Sequence, residues 1–171
     1  MIFVGLDIET TGINRDKHQT IQIGVTSLDL DKHYVSDVGW THGQYDYSVE
    51  ALDVNGFSVQ RIEAGPPAKQ VAVELWNWLG NLGAEQRKVI PIGWNVGSFD
   101  MPFVKKDLGR VQLYFPHRAI DLNSLVFTIA GPDGFDDLKA EAVDTAELRV
   151  AAQRFSKAGK PARLTERAQS A

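Results

Sequence analysis

Two carboxylates stand two residues apart near the start of the chain. Asp7 and Glu9 lie at the end of an apolar run, residues 1–8, that is typical of a buried strand. Residues two apart on a strand point to the same face, so the two acids project together. Adjacent carboxylates repel each other unless a cation lies between them, and hard oxygen donors suit Mg²⁺ or Mn²⁺. The alternative is an exposed acidic strand end before a turn.

A third acid, Asp100, follows a strand end and a glycine-containing turn. The run 93–99 (GWNVGSF) precedes it, and an apolar helix start follows. Asn95 is a residue type whose side chain can hold such a turn. An acid in the first helical turn is favoured by the helix dipole and is common. Asp100 therefore indicates a metal site only in combination with Asp7 and Glu9.

Two further acids lie in the predicted last helix. Asp144 falls on an apolar stripe with Leu148, Ala151 and Phe155. An acid on a buried stripe is costly unless it is paired or bound to a metal. Glu141 lies one turn earlier on nearly the same face and is the alternative ligand.

The elements that position these acids alternate along the chain. Apolar alternation and turn residues predict strands at 1–8, 20–28, 33–41, 89–94 and 119–121. Helices are predicted within 48–58, after Pro66 and Pro67, at 99–108, at 122–129 and at 136–155, with a break at 131–134. Three strands followed by alternating helix and strand indicate an α/β fold, a mixed sheet with helices on it.

Composition and charge limit the class of protein. The chain has 171 residues with 43% hydrophobic residues and no cysteine, which fits one domain in a reducing cytoplasm. Its start meets an acidic pair within ten residues, so we expect neither a signal peptide nor a membrane partner. The net charge is −4, with six basic residues and one acid from Arg149 onward. We expect a domain at 1–156 and a tail at 157–171, which is either a frayed terminus or an electrostatic handle for nucleic acid.

Two motifs in this chain resemble those of the DEDD superfamily of 3′–5′ exonucleases. The pattern D-x-E-T-T-G matches residues 7–12, and N-x-x-x-F-D matches Asn95, Phe99 and Asp100. Segments 51–58 and 120–125 also look like family segments, so the resemblance covers roughly residues 1 to 155. It implies an RNase H-like fold with a mixed central sheet of about five strands flanked by helices.

The resemblance also implies the ligands of two ions, Mg²⁺ or Mn²⁺, about 4 Å apart. Asp7 would bridge both ions and Asp100 would complete one shell. Glu9 would complete the other shell together with Asp144 or, in its place, Glu141.

Substrate contacts are implied near the first two motifs. Thr10, Thr11 and the backbone of Gly12 would meet the terminal nucleotide. Asn95 would hold its turn or touch the substrate, and Phe103 would pack near a base or, alternatively, in the core.

The third family motif, His-x₄-Asp or Tyr-x₃-Asp at a helix start, has no match in place. His117 and Asp121 imitate it, but they fall where a strand meets a helix and their spacing is one residue short. Five residues before Asp144 stands Lys139, which is protonated near neutral pH and is a poor base.

Two functions therefore follow from the resemblance. The first is release of nucleoside monophosphates from 3′ ends of single-stranded nucleic acid, DNA ahead of RNA. The second is a catalytically weakened domain that binds such ends or a replication partner such as a DNA polymerase. A plain α/β scaffold with chance acids is the third alternative.

Overall fold

The strand that carries Asp7 and Glu9 lies at the centre of a five-stranded sheet. β1 (Ile2–Thr10) pairs antiparallel with β2 (Thr20–Ser27), which pairs antiparallel with β3 (His33–Asp37). On its other side β1 pairs parallel with β4 (Val89–Gly93), which pairs parallel with β5 (Ile120–Asp121). The order is β3-β2-β1-β4-β5. The predicted mixed sheet with an N-terminal meander is confirmed.

The computed structural model describes residues 1–41, 46–137 and 139, and the chain forms two units, Met1–Leu122 and 123–171. The predicted tail, 157–171, lies outside the described residues, so the predicted domain boundary stays a prediction. The helices of the first unit are α1 (Val49–Asn55), α2 (Val59–Glu63), α3 (Ala68–Asn81), α4 (Asp100–Asp107) and a 3₁₀ helix (Gly109–Tyr114). No helix among the described residues is long and apolar enough to span a membrane.

The main core lies between the sheet and α3 and α4. Even-numbered residues of β1 from Val4 onward are buried, while the odd-numbered residues are exposed or partly buried. Helix α3 contributes Val71, Leu75 and Leu79, whose spacing of four places them on one face of the helix and which are fully buried. This packing fixes the orientation of β1 and leaves its opposite face available to polar side chains.

Two predicted boundaries and one helix differ from the structure. β1 continues through Glu9 and Thr10, because both stay paired with β2 across an irregularity in the register. β3 ends at Asp37 rather than at residue 41, because Gly39 turns away and donates its N–H to the carbonyl of Pro66 at 2.8 Å. A Cβ on Gly39 would lie 2.5 Å from the carbonyl oxygen of Gly65, so this close approach requires glycine. The 3₁₀ helix was not predicted.

At the predicted break, 131–134, the two helical parts are not separated by a loop. Residues 122–137 are helical throughout, but Gly131 has φ of 68°, a left-handed conformation that glycine adopts at helix ends. Pro132 follows it, and proline suits the first turn of a helix because it lacks an N–H. The glycine and proline therefore interrupt the regular helix without separating its two parts by a loop.

Candidate metal centre

Asp7 and Glu9 lie on the face of β1 that points away from the main core. Asp7 is exposed and Glu9 is partly buried, while Ile8 between them is in the core. The predicted common face of the two acids is confirmed. We call Asp7, Glu9 and Asp100 together the acidic edge.

Asp100 joins the acidic edge through the backbone of β1. It is the first residue of α4, it is only 3% exposed, and its Oδ1 accepts a hydrogen bond from the N–H of Ile8 at 3.1 Å. This contact links residues 92 positions apart. The structure thus brings together the three acids that the first two motifs predict.

The register of β1 explains why the N–H of Ile8 bonds to a side chain and not to a neighbouring strand. The N–H of Ile2 bonds to Lys88 on the β4 side, so the N–H groups of even-numbered residues of β1 point that way. The parallel pairing with β4 ends at Gly5 and Ile92. Beyond that point a buried N–H needs another acceptor, and the carboxylate of Asp100 takes the place of the missing strand.

The end of β4 is shaped to bring α4 close to β1. A Cβ on Gly93 would lie 2.5 Å from the carbonyl oxygen of Leu6, so only glycine allows this approach. Asn95 follows with φ of 52°, and its carbonyl accepts hydrogen bonds from the N–H groups of Ser98 and Phe99 at 3.0 and 2.8 Å. The expected turn is present. The hydrogen bonds that define it are accepted by the backbone carbonyl of Asn95, whereas the sequence predicted a role for its side chain.

The environment of Asp100 disfavours its charged form. Burial, and next the negative charge of Asp7, raise the pKa of Asp100 to about 8, with a smaller contribution from Glu9. The hydrogen bond from the N–H of Ile8 acts in the opposite direction. A cation beside these carboxylates would relieve the repulsion that raises this pKa.

The donor set of the acidic edge is compatible with Mg²⁺ or Mn²⁺. All three side chains offer hard carboxylate oxygens, the ligands that these ions prefer. Within the described residues, however, no three such side chains are grouped closely enough to hold an ion as they stand. Asp144 and Glu141, the predicted further ligands, lie outside the described residues.

The loop after β1 is held by its own threonines. Thr10 is buried, and its hydroxyl donates to the carbonyl of Gly12 at 2.9 Å. The fully buried hydroxyl of Thr11 donates to the carbonyl of Asp46 at 2.9 Å. The two side chains therefore fix the shape of the loop.

Gly12 lies against the imidazole of His18. A Cβ at this position would approach the ring to 2.3 Å, so any larger residue would displace His18. The ring in turn accepts a hydrogen bond at Nδ1 from the N–H of Asn14 at 2.9 Å. Glycine is needed here because a side chain covers the backbone.

Phe103 is placed in the core. It is 1% exposed and its ring centroid lies 5.3 Å from that of Phe99. The side chain of Phe103 thus occupies the core position that was the alternative prediction. Contact with a base stays a prediction that requires Phe103 to move.

Three residues that support the acidic edge were not predicted. The side chain of Asp107 is fully buried, and its Oδ2 accepts from the N–H of Thr20 at 2.7 Å. Lys106 donates to the carbonyl of Arg15 at 2.8 Å and also to that of His18. Asn55 donates from Nδ2 to the carbonyl of Thr10 at 2.9 Å. The position of Asp107 could have been predicted from the sequence. It is seven residues after Asp100, and residues seven apart on a helix share a face.

Comparison with known proteins identifies the fold. No family model and no curated protein matches this sequence. Among solved structures, E. coli exonuclease I in complex with a 5cy-dA13 oligonucleotide is similar with a TM-score of 0.57 and 18% identity, over 77% of this chain and 31% of that chain. The ExoI/SSB-Ct complex is similar with a TM-score of 0.58 and 17% identity, over 77% of this chain and 30% of that chain. The chain thus spans less than a third of the length of those proteins. With its mixed five-stranded sheet and flanking helices, it has an RNase H-like α/β fold of the kind found in E. coli exonuclease I.

Proposed function

We propose that this chain is a metal-dependent 3′–5′ exonuclease domain of the DEDD superfamily, acting on single-stranded nucleic acid. The observation that carries the proposal is the hydrogen bond from Ile8 to Asp100, which holds a buried acid beside two more on β1. The fold shared with exonuclease I supports it, as do the oligonucleotides bound in structures of that protein. DNA is the favoured substrate for the same reason.

Each residue of the acidic edge has a proposed role. Asp7 and Glu9 would hold the ions from the exposed face of β1, and Asp100 from its buried position on α4. Asp144, or Glu141 in its place, would complete the set. Two bound ions, Mg²⁺ or Mn²⁺, would stabilise charge on the attacking and leaving oxygens.

The remaining residues would place the strand. The backbone at 10–12, fixed by the two threonine hydroxyls, would orient the terminal nucleotide. Water would add to the last phosphorus while the bond to the preceding 3′ oxygen breaks. The products would be a nucleoside monophosphate and a strand with a new 3′ hydroxyl.

The deciding experiment uses a 5′-labelled single-stranded oligonucleotide. With Mg²⁺ or Mn²⁺ we expect stepwise shortening from the 3′ end and release of mononucleotides, and none of this in EDTA. An oligonucleotide with a blocked 3′ end is the control. Equal degradation of blocked and free strands would contradict the proposed direction.

A second function rests on the departure from the third family motif. Loss of a general base typically costs about 10²–10⁴-fold in rate. A domain that has lost it would still bind single-stranded ends or a replication partner such as a polymerase. Tight oligonucleotide binding without mononucleotide release in either metal would favour this alternative.

A further inference from the structure

A basic groove lies beside the acidic edge on the flank of α4. Its volume is about 790 Å³. Its charged and imidazole side chains, all exposed, are Arg15, Lys105, Lys106, His117 and Arg118, with Asp16 the one acid that lines it. The chain before Arg149 contains 12 basic and 21 acidic residues, so a concentration of basic side chains here is contrary to the general charge of the protein.

The walls of this basic groove are tied together by hydrogen bonds. Lys106 on α4 donates to the carbonyl of Arg15 at 2.8 Å and to that of His18, which fixes the loop after β1 against the helix. Asp107 accepts the N–H of Thr20 at 2.7 Å and fixes the start of β2 to the same helix end. The groove is therefore formed before any ligand arrives.

The lining of the basic groove includes neighbours of Asp100 in the chain. Gly97 and Met101 line it, and they flank Asp100 in the chain. Lys105 is five residues beyond Asp100 on the same helix, a distance of about 7.5 Å along the axis at 1.5 Å per residue. A strand that ends at the acidic edge would therefore reach the basic groove within its first few nucleotides.

The lining also includes apolar surface. Met101, Pro102 and Pro116, all partly buried, stand among the basic side chains, and Phe115 beneath them belongs to the main core. A positively charged groove that follows the backbone is a feature of proteins that bind single strands without sequence preference.

We propose that the basic groove binds the single strand upstream of the nucleotide at the acidic edge. Arg15, Lys105 and Arg118 contact its phosphates, and Lys106 serves to hold the groove open. This proposal rests on the proposed function for the direction of the strand, but the charge of the groove can be tested without catalysis.

The test is binding of a labelled twelve-nucleotide oligothymidylate by fluorescence anisotropy, in EDTA so that hydrolysis cannot occur. The groove variant carries Arg15→Gln, Lys105→Gln and Arg118→Gln. The control carries Lys32→Gln, Lys69→Gln and Arg87→Gln, which remove the same charge from exposed residues outside the groove. The side chains changed are exposed in both, and circular dichroism verifies folding.

We expect the groove variant to bind at least about tenfold more weakly than the wild type. The slope of the logarithm of the binding constant against the logarithm of the salt concentration should be smaller in magnitude by about two. The reason is that each phosphate of a single strand neutralised by a basic side chain adds about 0.7 to the salt slope. The control should retain nearly full affinity, and a dinucleotide should bind both variants equally. Arg118→Gln alone should give about a third of the change in slope.

Three results would overturn the proposal. They are no binding by the wild type, equal weakening in the control variant, and displacement of the oligonucleotide by an acidic peptide of the same charge at equal concentration. The last would indicate a protein partner for the basic groove. A protein that binds the strand through the groove but releases no mononucleotide would uphold this inference while contradicting the proposed function.

Discussion

The acidic edge and the basic groove each include residues of α4, and each groups side chains of like charge. In the acidic edge the buried carboxylate of Asp100 accepts a backbone N–H from Ile8. In the basic groove the ammonium group of Lys106 donates to the backbone carbonyls of Arg15 and His18. Each region thus has one ionisable side chain whose hydrogen bonds to the backbone of β1 or its following loop fix the geometry. The exposed neighbours of that side chain are available to a ligand of opposite charge.

The largest expected effect comes from removing an exposed charge of the acidic edge. Asp7→Asn should lower the nuclease rate by at least about 10²–10³-fold and weaken Mn²⁺ binding, because it removes the proposed bridging charge. Asp31→Asn, which removes an exposed acid elsewhere, is the control. The measurements are mononucleotide release and a Mn²⁺ titration. Near-native values for Asp7→Asn would refute the two-metal proposal.

The second effect concerns the further ligand of the acidic edge. If Asp144 is that ligand, Asp144→Asn should weaken Mn²⁺ binding by about tenfold or more, while Glu141→Gln changes it little. A Mn²⁺ titration of both variants decides between them. The opposite ranking would transfer the role to Glu141, and no change in either would favour the weakened binder.

The third effect is a dependence of stability on pH in the metal-free protein. Because the pKa of Asp100 is raised to about 8, folded Asp100 keeps its proton between about pH 4 and 8 while the unfolded chain releases it. The contribution of Asp100 to the free energy of unfolding should therefore fall as pH rises through this window and level off above about pH 8. Asp100→Asn keeps an acceptor for Ile8 and should remove the trend, a change on the order of a few kcal/mol.

Urea unfolding in EDTA at several pH values measures this trend. The wild type and Asp100→Asn should be similar near pH 4 and should diverge toward pH 8, with the variant more stable. Parallel curves for the two proteins across the window would contradict the account of Asp100.

The smallest expected effect is on the free energy of unfolding, and it distinguishes Lys106, which is bonded to the loop after β1, from its exposed neighbour Lys105. Lys106→Met should lower the free energy of unfolding by about 1–3 kcal/mol, because it removes a charged donor from two backbone carbonyls. Lys105→Met, at its exposed neighbour, should stay within about 0.5 kcal/mol of the wild type. Thermal unfolding of both variants is the measurement. Equal losses would mean that Lys106 does not fix the loop.

Local periodicity predicts one part of the acidic edge and misses another. Asp7 and Glu9 share a face because a strand repeats every two residues, and this is readable from the sequence alone. The contact between Asp100 and Ile8 depends on where the parallel pairing of β4 ends, which is set by packing across 92 residues. The motifs predicted that the acids meet, but not that a backbone N–H holds them.

Backbone contacts account for most of the remaining differences. Lys106 and Asp107 look like an ordinary charged helix end in sequence, yet they bind backbone groups of the loop and of β2. Gly131 and Pro132 predicted a break because both residue types interrupt regular structure, and here they join two helical segments without a loop. These contacts and conformations depend on hydrogen-bond partners distant in sequence or on adjacent helical turns. The local pattern of residue types does not specify either.

The replacement of a missing strand by Asp100 has a consequence for how the acidic edge can be observed. The amide of Ile8 is buried and bonded to the carboxyl group that completes the acidic edge, so we expect its proton to be protected from exchange with solvent. Its exchange therefore requires α4 and β1 to part at this point. The exchange rate of this amide would measure how often the acidic edge comes apart, in a protein that carries out no reaction at all.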